Sequence, residues 1–329
     1  MKRIFVKAMA VLLCIALAGC GGAMGSEAES GLKEVTLVLD YVPNTNHTGF
    51  YVAQEKGYFE QHGLKVNIVE PGENDSATLC AAGKAKFAIS YQENVTYART
   101  ASEPLPIRAI AAIIQHNTSG FVSAAEDNIL SPKDFEGRVY AGWQAPSEEA
   151  VLKAVMEAAG ADFSKLTMVG AVGSGLEFMD NGIDIQWEFE GWAVINDRMN
   201  GRALNYIPVK DLDVRLDYYT PVLITNEDMI RKDPETVRAF TQAVKQGYED
   251  AIADPAGAAE ILQKVIPDTD PDFLLESQKF LSGQYSLDSE VWGLMKDETW
   301  DNYTEFMYEY GLIEEKIPAN EQYTNAFVE

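Results

Sequence analysis

An α/β fold in two lobes, with a ligand cleft between them, is what this sequence predicts, on three observations. Short β-rich runs alternate with helical stretches from Val35 to Gln115, which implies crossover units around a parallel or mixed sheet. The alternation restarts at Arg138 and runs to Val209. The C-terminal third then turns helical and can return to the first half, so the lobes are joined by two crossings, expected near Asn117–Phe121 and Tyr219–Thr225. The expected division is 34–118 with 223–329 for lobe 1 and 119–222 for lobe 2.

The chain begins with an address. Lys2, Arg3 and Lys7 precede an apolar run from Ala8 to Ala18, too short for a comfortable membrane span and built like an export signal. Leu17-Ala18-Gly19-Cys20 resembles a bacterial lipobox, which implies a signal peptide over 1–19, lipid on Cys20 and an extracytoplasmic, membrane-anchored mature protein. Residues 20–33 are expected to be a flexible tether, rich in Gly, Ser, Ala and Glu without periodicity. Cys80 is then the one unmodified cysteine, and its Ala-rich surroundings predict a buried apolar role.

In the first half, Val35–Leu39 reads as a strand, followed by a polar loop and a helical stretch ending near Gly57. Val66–Val69 and Phe87–Ser90 are strands, Asp75–Ala82 and Asn94–Thr100 helices, and Ile107–Gln115 a long apolar strand. In the second half, Arg138–Gly142, Thr167–Val172, Ile183–Phe189 and Leu204–Val209 are strands. Ser147–Ala159 is a helix capped by Ser147, and Glu190–Met199 looks helical. Pro221–Thr225 leads back, Asp233 caps an amphipathic helix over Pro234–Ala253, and Thr299–Tyr310 is the last helix.

Composition excludes several functions. The chain of 329 residues carries 51 acids against 26 bases, a net charge of −25, so clustered phosphate neutralisation is absent and no nucleic-acid partner is expected. Three Cys and three His lack the spacing of a metal site, and no metal or cofactor is expected. An apolar fraction of 47% fills a core, which disordered chains cannot do.

Ligands of open α/β sheets sit off the carboxyl ends of strands. Four such exits share one chemistry: Asp40–Thr48, Tyr91–Asn94, Trp143–Pro146 and Trp187–Trp192. Each combines flat rings with carboxamides or carboxylates, and none contains Lys or Arg. That set suits a planar, neutral or weakly basic heterocycle: rings stack on it, amides match a ring nitrogen beside an exocyclic amine, and a carboxylate accepts from that amine. A phosphorylated ligand would call for Arg or a backbone nest. The candidate contacts are Asp40, Tyr41, Asn44, His47, Tyr91, Gln92, Glu93, Asn117, Trp143, Trp187, Glu188 and Glu190. Blander roles stand beside these. Asn44 and its neighbours suit turn and cap chemistry, His47 suits a structural histidine, and Tyr91 and Trp143 suit inter-lobe packing. Which of Glu188 and Glu190 faces the cleft stays open, and Trp192, Trp292 and Trp300 read as packing.

Two stretches carry a family resemblance: DYVPNTNHTGFYVA at Asp40–Ala53, and QEKGYFEQHGL at Gln54–Leu64. With SYQENVTYAR, IQHNTSGF, the Gly142-Trp143…Glu148-Glu149 region and Asp233–Ala253, they resemble solute-binding proteins of ABC importers. The similarity is to the branch of the NMT1/THI5-like superfamily that takes up thiamine pyrimidine precursors. It implies a type II periplasmic-binding-protein fold and a monomer that captures a hydroxymethyl- or formylaminomethyl-aminopyrimidine. Delivery to an ABC permease with its ATPase is implied too. By motif, Asn44, His47, Tyr91, Glu93 and Trp143 become the site. A eukaryotic group with this fold is a pyrimidine synthase, but its helix histidine falls at Asn94 here and its cysteine-rich loop is missing. The competing readings are that enzyme, a binder of another aromatic solute such as riboflavin, and an adhesion or scaffold lipoprotein.

Overall fold

The computed structural model describes residues 31–72, 75–171 and 182–329. The expected signal segment, Cys20 and most of the expected tether lie outside the described residues, as does Val172. No helix among the described residues is long and apolar enough to cross a membrane.

Alternation drives the first elements. Lys33–Val38 (β1) is followed by a short 3-10 turn and the helices Thr48–Glu55 (α1) and Tyr58–Gln61 (α2). Leu64–Val69 (β2), Ser76–Ala81 (α3), Phe87–Ser90 (β3), Gln92–Thr100 (α4) and Ile107–Ala112 (β4) come next. The second series is Ser119–Ala124 (β5), Val139–Gly142 (β6), Pro146–Ala158 (α5), Thr167–Gly170 (β7) and Ile185–Phe189 (β8). A π-helical turn over Glu190–Val194 runs into Ile195–Met199 (α6), then Leu204–Pro208 (β9). The return is Val222–Asn226 (β10), with Glu227–Lys232 (α7), Pro234–Ala253 (α8), Pro255–Val265 (α9), Pro271–Ser282 (α10) and Asp297–Glu309 (α11).

The strands form two five-stranded sheets, ordered β2-β1-β3-β10-β4 and β7-β6-β8-β5-β9. Both follow one plan. Three parallel strands lie side by side, and the fourth runs antiparallel between the third and the fifth. In each sheet that antiparallel strand is the one entering from the other half, β10 in the first and β5 in the second. The result is the two-lobed α/β architecture of periplasmic binding proteins, within one compact unit over Leu32–Glu329.

Each lobe has its own core. Phe87 stacks on Phe240 at 3.7 Å and Tyr248 on Trp292 at 4.5 Å in the first. The α1–α8 contact requires glycine on both sides: a Cβ on Gly49 would enter the Tyr248 ring, and one on Gly247 would meet the Gly49 carbonyl. Phe121, Phe135, Tyr140 and Leu152 centre the second core. Helix α11 serves both halves. Trp300 packs beneath the first sheet, whereas Tyr303, Phe306 and Met307 pack with the second core.

Several boundaries differ from expectation. The crossings lie a few residues earlier than predicted, because Ser119 already pairs in the second sheet and Val222 in the first. The strand expected to reach Gln115 ends at Ala112, because the chain leaves the sheet for the crossing. Ala145, not Ser147, caps α5, since Pro146 takes the first helical position. Asp233 is the N-cap residue of α8 as expected, and its carboxylate binds the Thr236 hydroxyl at 2.9 Å and Lys33. Trp292 and Trp300 are buried as expected, and Cys80 is buried among alanines with its thiol pushed up to about 12 by desolvation.

Candidate functional site

The loop after β1 is rigid by construction. The Asn44 side chain accepts from the Asn46 N–H at 2.9 Å and donates to the Val42 carbonyl at 2.9 Å. His47 Nδ1 accepts from the Asn44 N–H at 3.2 Å, closing a capping box. That donor leaves the ring proton on Nε2, which donates to Asp40 Oδ1 at 2.7 Å. Burial works against charge on Asp40, but hydrogen bonds from His47 and Tyr91 together outweigh it and hold the carboxyl below its ordinary range. Asn44 and His47, expected as ligand contacts, both help set the shape of the loop, the cap chemistry weighed as the alternative. Tyr41 is exposed at the rim.

Side chains far along the sequence fasten the same loop. Thr45 Oγ1 meets Ser277 Oγ at 2.7 Å, and Thr48 Oγ1 donates to Gln278 Oε1 at 2.6 Å. The Tyr248 hydroxyl donates to the Asn46 carbonyl at 2.6 Å. Ser277 also donates to the Gly191 carbonyl in the π-turn, and Trp192 meets Phe273 edge-on at 4.7 Å. Helix α10 thus touches the loop after β1 in one lobe and the π-turn of the other.

At the exit of β3, Tyr91 precedes α4 and hydrogen-bonds Asp40; burial raises its phenol, and the charge of Asp40 adds to that. Gln92 is fully buried and holds the second crossing, accepting from the Tyr219 N–H at 2.9 Å and donating to the Thr299 carbonyl at 3.0 Å. Glu93 accepts from Tyr303 Oη and from Ser147 Oγ of the other lobe, each at 2.8 Å. Burial raises its carboxyl above the ordinary range against these two bonds. Asn117 lies in the first crossing, donating to the Leu216 carbonyl at 2.9 Å and accepting from Ser119. Asp217 binds both the Asn117 N–H at 2.9 Å and His116 Nδ1 at 2.6 Å, so the two crossings are laced together. Asn117 is thus a crossing residue and Gln92 a partner of the other crossing, and the side chains of both have internal hydrogen bonds.

The second lobe supplies the rings. Trp143 is 59% exposed, and its ring lies 5.8 Å from that of Trp187, tilted by 53°. Trp187 is buried against Phe121 at 5.3 Å. The Trp143 turn is held by Glu148, a buried carboxylate that accepts from the Trp143 N–H at 3.1 Å, the Gln144 N–H at 2.8 Å and Tyr140 Oη. Glu188 is half-buried in β8 opposite Gly120, close enough to help raise the Tyr140 phenol. Glu190 is not in the strand but opens the π-turn, where it pairs with Arg198 at 3.1 Å. The strand exits held no basic residue, yet the fold brings this guanidinium to one of them.

Ser277, Gln278, Tyr303 and the carboxylate role of Glu148 emerge only with the fold. Glu148 carried a signal, an acid three positions into a helix, where it can reach back to the preceding turn. The others act across more than 200 residues and carried none.

Residues 44–258 match the NMT1/THI5-like family. The chain belongs to that family. It is 28% identical to a formylaminopyrimidine-binding protein of Halalkalibacterium halodurans, over 97% of this chain and 98% of the relative. It is 25% identical to a 4-amino-5-hydroxymethyl-2-methylpyrimidine phosphate synthase of Uromyces fabae, over 90% and 88%. Among solved structures, the alkanesulfonate-binding protein SsuA of Xanthomonas axonopodis pv. citri superposes with a TM-score of 0.67 at 12% identity, over 88% of this chain and 98% of that one. That likeness concerns the fold.

Proposed function

We propose that this chain is the solute-binding lipoprotein of an ABC importer, anchored outside the cytoplasm through Cys20, and that it captures an aminopyrimidine precursor of thiamine between its lobes. The lobes are taken as 34–118 with 223–329, and 119–222. The observation that carries the reading is the Trp143–Trp187 pair, an exposed ring backed by a buried one, set among carboxylates. A planar ring stacked on such a surface gains about 1–3 kcal/mol in the comparable nucleic-acid case. Asp40, Tyr91, Glu93 and Glu188 then read the edge of the heterocycle, with the amine donating to carboxylate. A micromolar complex needs about −8 kcal/mol, within reach of one or two stacks and several buried hydrogen bonds.

Mechanistically, the crossings at Ile113–Thr118 and Asp217–Pro221 act as the hinge. Bonds made between lobes, Ser147 to Glu93 and Ser277 to Gly191, form as the lobes close and report closure to the permease. Lipid on Cys20 keeps the protein near that permease; since one acyl chain anchors only marginally, more than one is expected. Binding occurs without turnover in this reading. Against a synthase, Asn94 stands where the resemblance places a histidine, and Cys80 is the one cysteine beyond the expected lipidation site.

A thermal-shift screen tests the proposal, with thiamine, 4-amino-5-hydroxymethyl-2-methylpyrimidine and its formylaminomethyl analogue, and with riboflavin and alkanesulfonates as controls. The pyrimidines should raise Tm in a saturable way. A shift with sulfonate alone would overturn the ligand class.

A further inference from the structure

We infer that Glu148 is the positioning residue that presents Trp143 to the ligand, an inference that rests on the ring-binding reading above. The turn Gly142–Gln144 is short and strained at one point: Gln144 has φ = +61°, a left-handed conformation that non-glycine residues adopt at a cost. Something must hold it, and the carboxylate of Glu148 does. Oε1 accepts from the Trp143 N–H and from Tyr140 Oη, and Oε2 accepts from the Gln144 N–H. All the donors point at one buried anion, with Tyr140 fully buried behind it. Trp143 itself is largely exposed, so its ring cannot be fixed by burial. Its orientation over Trp187 is set through its backbone, and the backbone is set by Glu148.

Gly142 completes the device. A Cβ there would land on the Glu148 carboxylate, so glycine is what lets the anion sit under the turn. The neighbouring Ser147 donates to Glu93 of the other lobe, so the same helical turn that fixes Trp143 also crosses to the facing lobe.

A glutamine cannot replace Glu148. Its Oε1 can keep Tyr140 and Trp143, but its Nε2 is a donor facing the Gln144 N–H. E148Q therefore releases the turn while conserving volume. The test is a double-mutant cycle of E148Q and W143A, read by titration with 4-amino-5-hydroxymethyl-2-methylpyrimidine, with Tm recorded for each protein. E148Q should weaken binding about tenfold, the effect of one mismatched donor pair. W143A should weaken it at least as much, and the double variant should bind no worse than W143A, because Glu148 acts through that ring. Full additivity, or wild-type binding by E148Q, would overturn the inference.

A ligand-free measurement separates this inference from the ring-binding reading. The Trp143–Trp187 pair should give an exciton couplet in circular dichroism that W143F abolishes and E148Q reduces. If W143A binds like wild type, the ring-binding reading fails. The couplet still decides the role of Glu148: unchanged in E148Q, it refutes positioning. G142A, which displaces the carboxylate while keeping Glu148, should copy E148Q in both readouts, and serves where E148Q fails to fold. Wild-type behaviour of G142A would count against the device.

Discussion

The loop after β1 and the turn after β6 occupy equivalent places in the two sheets, yet they are secured in opposite ways. The first is fastened from a distance: Tyr248, Ser277 and Gln278, more than 200 residues away, bond Asn46, Thr45 and Thr48. The second is held from within five residues by one carboxylate, and it presents its tryptophan to solvent. Damage to the first loop should therefore appear as lost stability along with lost binding, and damage to the second as lost binding with stability kept. In the proposed reading, lobe 1 offers a prebuilt polar edge and lobe 2 a ring whose turn is held by Glu148.

The sharpest way to break this contrast is Asp40→Ala. It strands the buried His47 N–H and the Tyr91 hydroxyl, and should cost about 3 kcal/mol of stability, measured by denaturant unfolding. Because the folded carboxyl of Asp40 is depressed, its contribution is present above the unfolded value near 4 and is lost as pH falls through the folded value. The gap between wild type and D40A should therefore be full at pH 7 and close in acid. A gap that persists at low pH would show that Asp40 matters by packing alone.

Trp143→Ala is the counterpart. Affinity for the aminopyrimidine should fall about 10- to 100-fold, one lost stack, with Tm nearly unchanged because the ring is exposed. A large fall in Tm without loss of affinity would reverse the comparison. Ser277→Ala comes next. It removes the link from Thr45 to Gly191, and should cost about 1 kcal/mol and speed ligand release as measured by stopped flow. Unchanged release kinetics would deny α10 a role in holding the lobes together.

The smallest expected effect carries the opposite sign to D40A. Burial raises the Glu93 carboxyl, so its charge opposes folding as pH rises through the folded value, and the penalty vanishes below the unfolded value. Glu93→Gln keeps an acceptor for Ser147 and can donate to the Tyr303 oxygen. Its Tm relative to wild type should therefore rise from pH 4 to pH 8. A difference flat in pH would mean that folding does not raise the Glu93 carboxyl.

The features legible in the sequence were local ones. Strand and helix alternation marks the members of both sheets apart from β5, and the ring-and-acid content of the exits marks Trp143, Trp187, Tyr91 and Glu93 as candidates. Asn44 and His47 have the chemistry of ligand contacts and of caps alike, and the fold shows that both take part in the cap. Ser119–Phe121, the first half of β5, falls in the expected crossing, because Thr-Ser-Gly carries turn chemistry while its β pairing depends on β8 and β9. The long-range fasteners were invisible for a simpler reason: nothing near Ser277 or Gln278 marks the loop they hold.

Calorimetric titration of the protein with 4-amino-5-hydroxymethyl-2-methylpyrimidine, followed by recovery of the ligand, tests the central claim most directly. The account predicts saturable one-to-one binding and a ligand recovered unchanged. Absence of binding, or conversion of the pyrimidine to another compound, would contradict it.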